Sequence, residues 1–258
     1  MSESSDLLAN YLRDNPPRDA LALRAMLDGF MMQLGNAELP EIGASHDDVL
    51  IDTGGQEFTV DVHVPRGAGP FPVLVYLHGG GWILGSPKTH RRLAFRFAEA
   101  GYLVFNVHYR FAPEHPFPAA FDDSVAAVRW AAAHAADYAG DANRLAVGGD
   151  SAGGNLTAAA AAALAEDPVV DIKAVLLNYA ALDFAHMDDN VPMMPGGDEL
   201  TDMMMGSYIG HDRENLIRDW RVSPIHVAEK LPPTHVLCGT MDPLIDDARA
   251  LAGSVAGD

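Results

Sequence analysis

A chain of 258 residues that is 48% hydrophobic can bury a full core as one large α/β domain, with room for a small appended cap but not for a second independent domain. Its 21% charged and 8% aromatic content excludes a disordered chain. The net charge of −19, from 36 acidic against 17 basic residues, excludes nucleic-acid binding because a phosphate backbone would be repelled.

In chain order, Leu7 to Leu34 carries helical spacing interrupted by Pro16-Pro17, which predicts two short helices ahead of the core. The period then changes. Val49 to Asp52 and the alternating Phe58 to Val64, with Gly54-Gly55 between them, predict an antiparallel opening pair. Three continuous apolar runs follow, Val73–Leu77, Tyr102–Val107 and Leu145–Gly148, separated by helical stretches at Thr89–Ala100 and Ala119–Ala136. Strands buried on both faces read this way, and the helices between them imply right-handed parallel crossovers. Ala174–Asn178 and Thr234–Cys238 add two more strands, so the expected fold class is α/β, a mostly parallel doubly wound sheet.

Between those last two strands lies a long segment with proline, glycine and the methionines Met187, Met193, Met194, Met203, Met204 and Met205. A segment of that length inside a compact domain is functional or separately structured, and Glu199 to Tyr208 has helical character. Two readings of the methionines stand open: gap-filling core, or a flexible acyl pocket. Cys238 is the only cysteine, so no intrachain disulfide or thiolate zinc site can be built. The start of the chain lacks the basic-then-apolar order of a signal peptide, and no uncharged apolar run reaches membrane-spanning length, which predicts a cytoplasmic protein without a membrane span. The acidic balance reads either as a solvated surface or as adaptation to high salt.

Gly149-Asp150-Ser151-Ala152-Gly153 sits between a strand and the helix Asn155–Ala165, the strand-turn-helix context of a nucleophile elbow. Gly149 and Gly153 flank Ser151 because the sharp turn leaves no room for side chains there. His78-Gly79-Gly80-Gly81-Trp82 directly follows the third strand, where a loop should supply oxyanion donors. The N–H groups of Gly80, Gly81 and Ala152 are assigned to that hole, Gly79 to the turn, and His78 to organising the loop. Asp242, in Gly239-Thr240-Met241-Asp242-Pro243-Leu244, follows a strand and is the candidate acid. Asp246 and Asp247 are expected to be turned outward by a helix running from Ile245.

With Tyr109 to Ala120 added, these motifs together resemble the hormone-sensitive-lipase family of carboxylesterases over nearly the whole chain; Asp242 also matches the family's Asp-Pro-Leu motif. The resemblance implies an α/β-hydrolase fold with a helical cap: residues 1–45 as N-terminal cap helices, 46–181 and 231–258 as core, 182–230 as cap insert. It also implies that Tyr109 to Ala120 is a structural loop whose Arg, Glu and His form a buried polar network. The activity implied is hydrolysis of small acyl esters through Ser151, with no metal or cofactor and a small-molecule ester as partner.

The triad of that fold ends on a histidine after an eighth strand, yet none of the residues from Pro243 to Asp258 is histidine. His186, His211, His226 and His235 all precede the acid and could approach Ser151 only after rearrangement. The sequence-based expectation is therefore C-terminal truncation, with the final edge strand and helix missing, impaired turnover, and a homo-oligomer altered by the bare edge. Two alternatives remain: a non-catalytic small-molecule-binding protein on the same fold, as in the plant gibberellin receptors, or a fragment completed by a second chain.

Overall fold

The apolar runs become the centre of a seven-stranded sheet in the order β1-β2-β4-β3-β5-β6-β7. The computed structural model describes residues 11–12, 14–186 and 197–255. Its strands are β1 (Ala44–Asp52), β2 (Glu57–Val64), β3 (Phe71–Leu77), β4 (Leu103–His108), β5 (Gly140–Asp150), β6 (Ile172–Asn178) and β7 (Thr234–Leu237). β1 pairs antiparallel with β2, and β2 with β4. Every remaining neighbour pair is parallel. Parallel strands need crossovers, and the helices α2 (Arg91–Glu99), α3 (Ala119–His134) and α4 (Ala152–Ala163) supply them. Covering helices explain why β3 and β4 are buried on both faces and lack alternation.

β2 departs from the half-exposed strand that its alternation predicts. Asp61 and His63, on the face expected to be polar and solvated, are buried. Lys88 bonds both oxygens of Asp61, at 3.1 and 2.9 Å, and the His63 ring packs on Phe95 with centroids 4.8 Å apart. Paired charge lets the polar face go inside.

α4 is buried almost all round, with the sheet on one side and α3 on another. Its alanines and glycines permit that close approach: a Cβ on Gly154 would lie 2.6 Å from the Cβ of Ala180. Of the two helices expected at the N-terminus, the second is α1 (Ala20–Gly35), N-capped by Asp19 accepting from the Ala22 N–H at 2.8 Å, while the first falls largely outside the described residues. The long insert contributes α5 (Gly197–Ile209) and the short α6 (Arg213–Leu216), and the chain returns through β7 to α7 (Ile245–Val255). Met187, Met193 and Met194 lie outside the described residues. Among the described residues no helix is long and apolar enough to cross a membrane.

Candidate active site

Parallel strands end on one edge of the sheet, and the residues singled out by sequence lie just past those ends. β5 runs into Ser151, whose backbone is held at φ 52° and ψ −121°, a left-handed conformation that costs a serine energy. It persists because the turn is fixed on both sides: the Ser151 N–H donates to Asn178 O at 3.0 Å, and the Ser151 carbonyl accepts from Asn155 N–H at 3.0 Å. The flanking glycines answer a close approach. A Cβ on Gly149 would stand 2.4 Å from Gly153 O, and one on Gly153 only 2.0 Å from Leu77 O.

β3 ends at Leu77 and leads into the glycine-rich loop. Gly80 and Gly81 carry φ of 130° and 58°, values that side chains rarely tolerate. The Gly80 carbonyl accepts from Ile83 and Leu84 N–H and so closes the turn. A Cβ on Gly79 would meet the Asp150 carboxylate at 2.4 Å. His78 is fully buried, stacked on Tyr109 with centroids 4.5 Å apart, with Nδ1 2.8 Å from Gly79 O. Burial holds its pKa well below the ordinary histidine value, so the ring is neutral. His78 does not line the cavity described next.

That cavity, of about 350 Å³, is lined by Ser151, Gly80, Gly81 and Asp242 together. Asp242 is held in its turn by Leu244 N–H donating to Oδ1 at 2.9 Å. Leu23, Leu27, Phe30 and Met31 of α1 close one side, and Thr201, Met204 and Met205 of α5 another. Met204 and Met205 are both buried in the core and both line the cavity, so the same side chains fill the core and face the pocket. Sequence reasoning missed α1 as a wall and Tyr179 as a lining residue. The i, i+4 spacing of Leu23 and Leu27 was the available sequence signal for the first.

Two expectations are corrected. Asp247 faces inward, not outward: it is buried and accepts from Leu182 N–H at 2.6 Å and Asp183 N–H at 3.1 Å, where only Asp246 reaches the surface and pairs with Arg249. The reason is the loop after β6, whose unsatisfied N–H groups need an acceptor. Burial raises the Asp247 pKa, while those two N–H bonds oppose the rise. The Tyr109–Ala120 polar groups are also less buried than expected. Arg110 does bind fully buried Asp123, at 2.7 Å, but Glu114 and His115 are exposed, Glu114 being held at the surface by Arg24 at 2.7 Å.

Asp150, beside Ser151, was read only as part of the motif. It is buried, and its carboxylate gathers Tyr76 OH at 2.9 Å, Gly79 N–H at 3.1 Å, Tyr179 OH at 3.3 Å and His90 Nε2 at 3.4 Å. Burial opposes its ionisation, but the bonds from His90 and Tyr76 outweigh that and hold the carboxyl below the usual range. No histidine lines the cavity among the described residues. His186 pairs with Asp183 at the surface, His226 and His235 are exposed, and the side chain of His211 lies outside the described residues.

The chain is similar in sequence and fold to known proteins. A model of the alpha/beta hydrolase fold family matches residues 74–257. Carboxylesterase NlhH of Mycobacterium tuberculosis is 38% identical over 193 residues, 70% of this chain and 59% of that protein. The carboxylic ester hydrolase LipN of the same organism is 36% identical over 231 residues, 83% of this chain and 60% of its own. The chain therefore spans 59–60% of the length of these curated relatives. Among solved structures, a hyperthermophilic esterase from the archaeon Pyrobaculum calidifontis superposes with a TM-score of 0.85 at 29% identity, over 97% of this chain and 84% of that one. EstE1, a thermophilic carboxylesterase from a metagenomic library, gives 0.84 at 29% identity over 92% and 83%.

Proposed function

The chain belongs to the α/β-hydrolase fold family, in its hormone-sensitive-lipase-type carboxylesterase branch, and from that premise we propose that it cleaves small carboxylic esters with Ser151 as nucleophile. The observation that carries the reading is that Ser151, Gly80, Gly81 and Asp242 line the same largely apolar cavity. In this reading Ser151 Oγ attacks the ester carbonyl, and the N–H groups of Gly80, Gly81 and Ala152 receive the developing oxyanion. The alcohol leaves, and water resolves the acyl-enzyme. Asp242 is the acid, while His78, Gly79, Gly149 and Gly153 shape the two turns. The cap reading of the N-terminal and insert segments is supported by α1 and α5, which line the cavity.

Among the described residues no histidine lines the cavity, so slow acylation of Ser151 is the expected result for these 258 residues. Deacylation needs the same base, so the acyl group should accumulate. Incubation with p-nitrophenyl butyrate is expected to add one butyryl mass to the intact protein, mapped to Ser151 and absent from Ser151→Ala. An adduct elsewhere, or none after prolonged incubation, refutes the nucleophile. Saturable binding without an adduct would favour the small-molecule-binding alternative on the same cavity.

The reading also carries a cytoplasmic location, a small-molecule ester as partner and self-association. β7 is hydrogen-bonded on one side only among the described residues, and its outward face carries exposed Leu237. An open edge of that kind accepts a further strand. Light scattering is expected to show mass rising with protein concentration; a monomer at every concentration removes this part.

A further inference from the structure

We propose that Asp150 is a positioning residue that pins the glycine-rich loop against the serine elbow, a role that rests on the reading of Ser151, Gly80 and Gly81 as the reacting site. The internal bonds of the loop engage carbonyl groups, Gly80 O accepting from Ile83 and Leu84 N–H and Gly79 O lying beside His78 Nδ1, and do not by themselves fix where the glycine N–H groups point. Gly79, Gly80 and Gly81 follow one another, two of them at positive φ, and consecutive glycines are the most conformationally free stretch a chain can have. N–H groups that must point at one oxygen atom cannot be left to such a loop alone.

The loop's far side is tied by Ala112 N–H donating to Trp82 O at 3.0 Å and Arg24 Nε donating to Ile83 O, and two further bonds hold the glycine side. Tyr109 OH donates to His78 O at 2.7 Å, and Asp150 Oδ1 accepts from Gly79 N–H at 3.1 Å. The Asp150 tie sits immediately before Gly80 and Gly81, so it sets the direction in which their N–H groups leave. It also comes from the residue bonded to Ser151, which means one carboxylate registers the donors against the nucleophile.

The carboxylate is itself braced. Tyr76 OH reaches the same oxygen from β3, Tyr179 OH reaches Oδ2 from beyond β6, and His90 approaches Oδ2 from the start of α2. His90 is oriented in turn, with Nδ1 2.9 Å from Thr89 Oγ1. Tyr179 also lines the cavity, so the brace extends to the wall that substrate would touch. The 2.4 Å approach that a Gly79 Cβ would make to Asp150 accounts for glycine at that position: the carboxylate occupies the space. A carboxylate that served only to fill volume would not need four donors from four segments.

Asp150→Asn keeps the volume and removes the charge, so it separates the two roles. Backbone amide exchange over residues 78–85 is expected to speed about tenfold or more, with residues 119–134 of α3 unchanged. Acylation of Ser151 by p-nitrophenyl butyrate should slow, while the ester concentration that half-saturates it stays within about twofold. No change in the loop, or equal loosening everywhere, overturns the proposal. Ser151→Ala should leave the exchange pattern as it is and abolish acylation, so the loop measurement decides the matter even in a chain that never acylates. Should Asp150→Asn fail to fold, Tyr76→Phe frees the same oxygen from its second donor, and the same loop is expected to loosen by a smaller factor; unchanged exchange there overturns the proposal equally.

Discussion

Gly153→Ala is expected to destabilise the folded chain by about 3 kcal/mol or more, although alanine is the better helix former by about 1 kcal/mol. Gly153 lies in the first turn of α4, where an added Cβ would stand 2.0 Å from Leu77 O and 2.4 Å from His78 O. Both are backbone atoms, one at the end of the central strand and one opening the glycine-rich loop. Neither can swing aside as a side chain would, so α4 or the loop must shift, and the Ser151 turn shifts with it. Gly206→Ala in α5 is the control of opposite sign: nothing lies within 4 Å of its added Cβ, and its stability should rise by up to about 1 kcal/mol. Urea midpoints at neutral pH separate the two. A Gly153→Ala protein as stable as its parent would show that the elbow and the loop are not packed backbone to backbone.

Mild acid should destabilise the protein, with the loss starting above the ordinary carboxylate range. His63 is buried, and burial, with the nearby Arg91 charge adding to it, lowers its pKa from 6.5 to about 4. His78 and His108 are shifted in the same direction, burial being the leading cause for each. A histidine kept neutral in the fold but free to protonate when unfolded favours unfolding as pH falls. The loss therefore begins near the ordinary histidine value and, for His63, levels off below its folded one. The shift of His63 alone corresponds to about 3 kcal/mol across that window. Denaturation midpoints measured from pH 7.5 downward should fall steeply through this range, and His63→Met should remove one proton's worth of slope. A flat profile, or an unchanged slope in that variant, would place the sensitive groups elsewhere.

Much of this architecture was legible along the chain because each signal was local. The runs Val73–Leu77 and Leu145–Gly148 could be strands only if both faces were covered, and they became β3 and the end of β5. The glycines around Ser151 and after His78 were legible for the same reason, since a tight turn constrains the residues that make it. Polar groups were harder. Asp61, His63 and Asp247 all looked solvated by period or by helix position, and each is buried because a distant segment supplies its partner: Lys88 for Asp61, Ser45 for His63, the Leu182 and Asp183 amides for Asp247.

The sequence by itself determined the order of strands and helices, the turn that presents Ser151, and the glycine loop that faces it, because hydrophobic period and glycine placement act over a few residues. Only the tertiary structure decided that Ser151 and Asp242 share one cavity, that α1 and α5 wall it, and that Asp150 turns away from it to hold Gly79. These are contacts between segments far apart in sequence, fixed by strand order and by the pairing of buried charge, and no local pattern encodes which partners will meet.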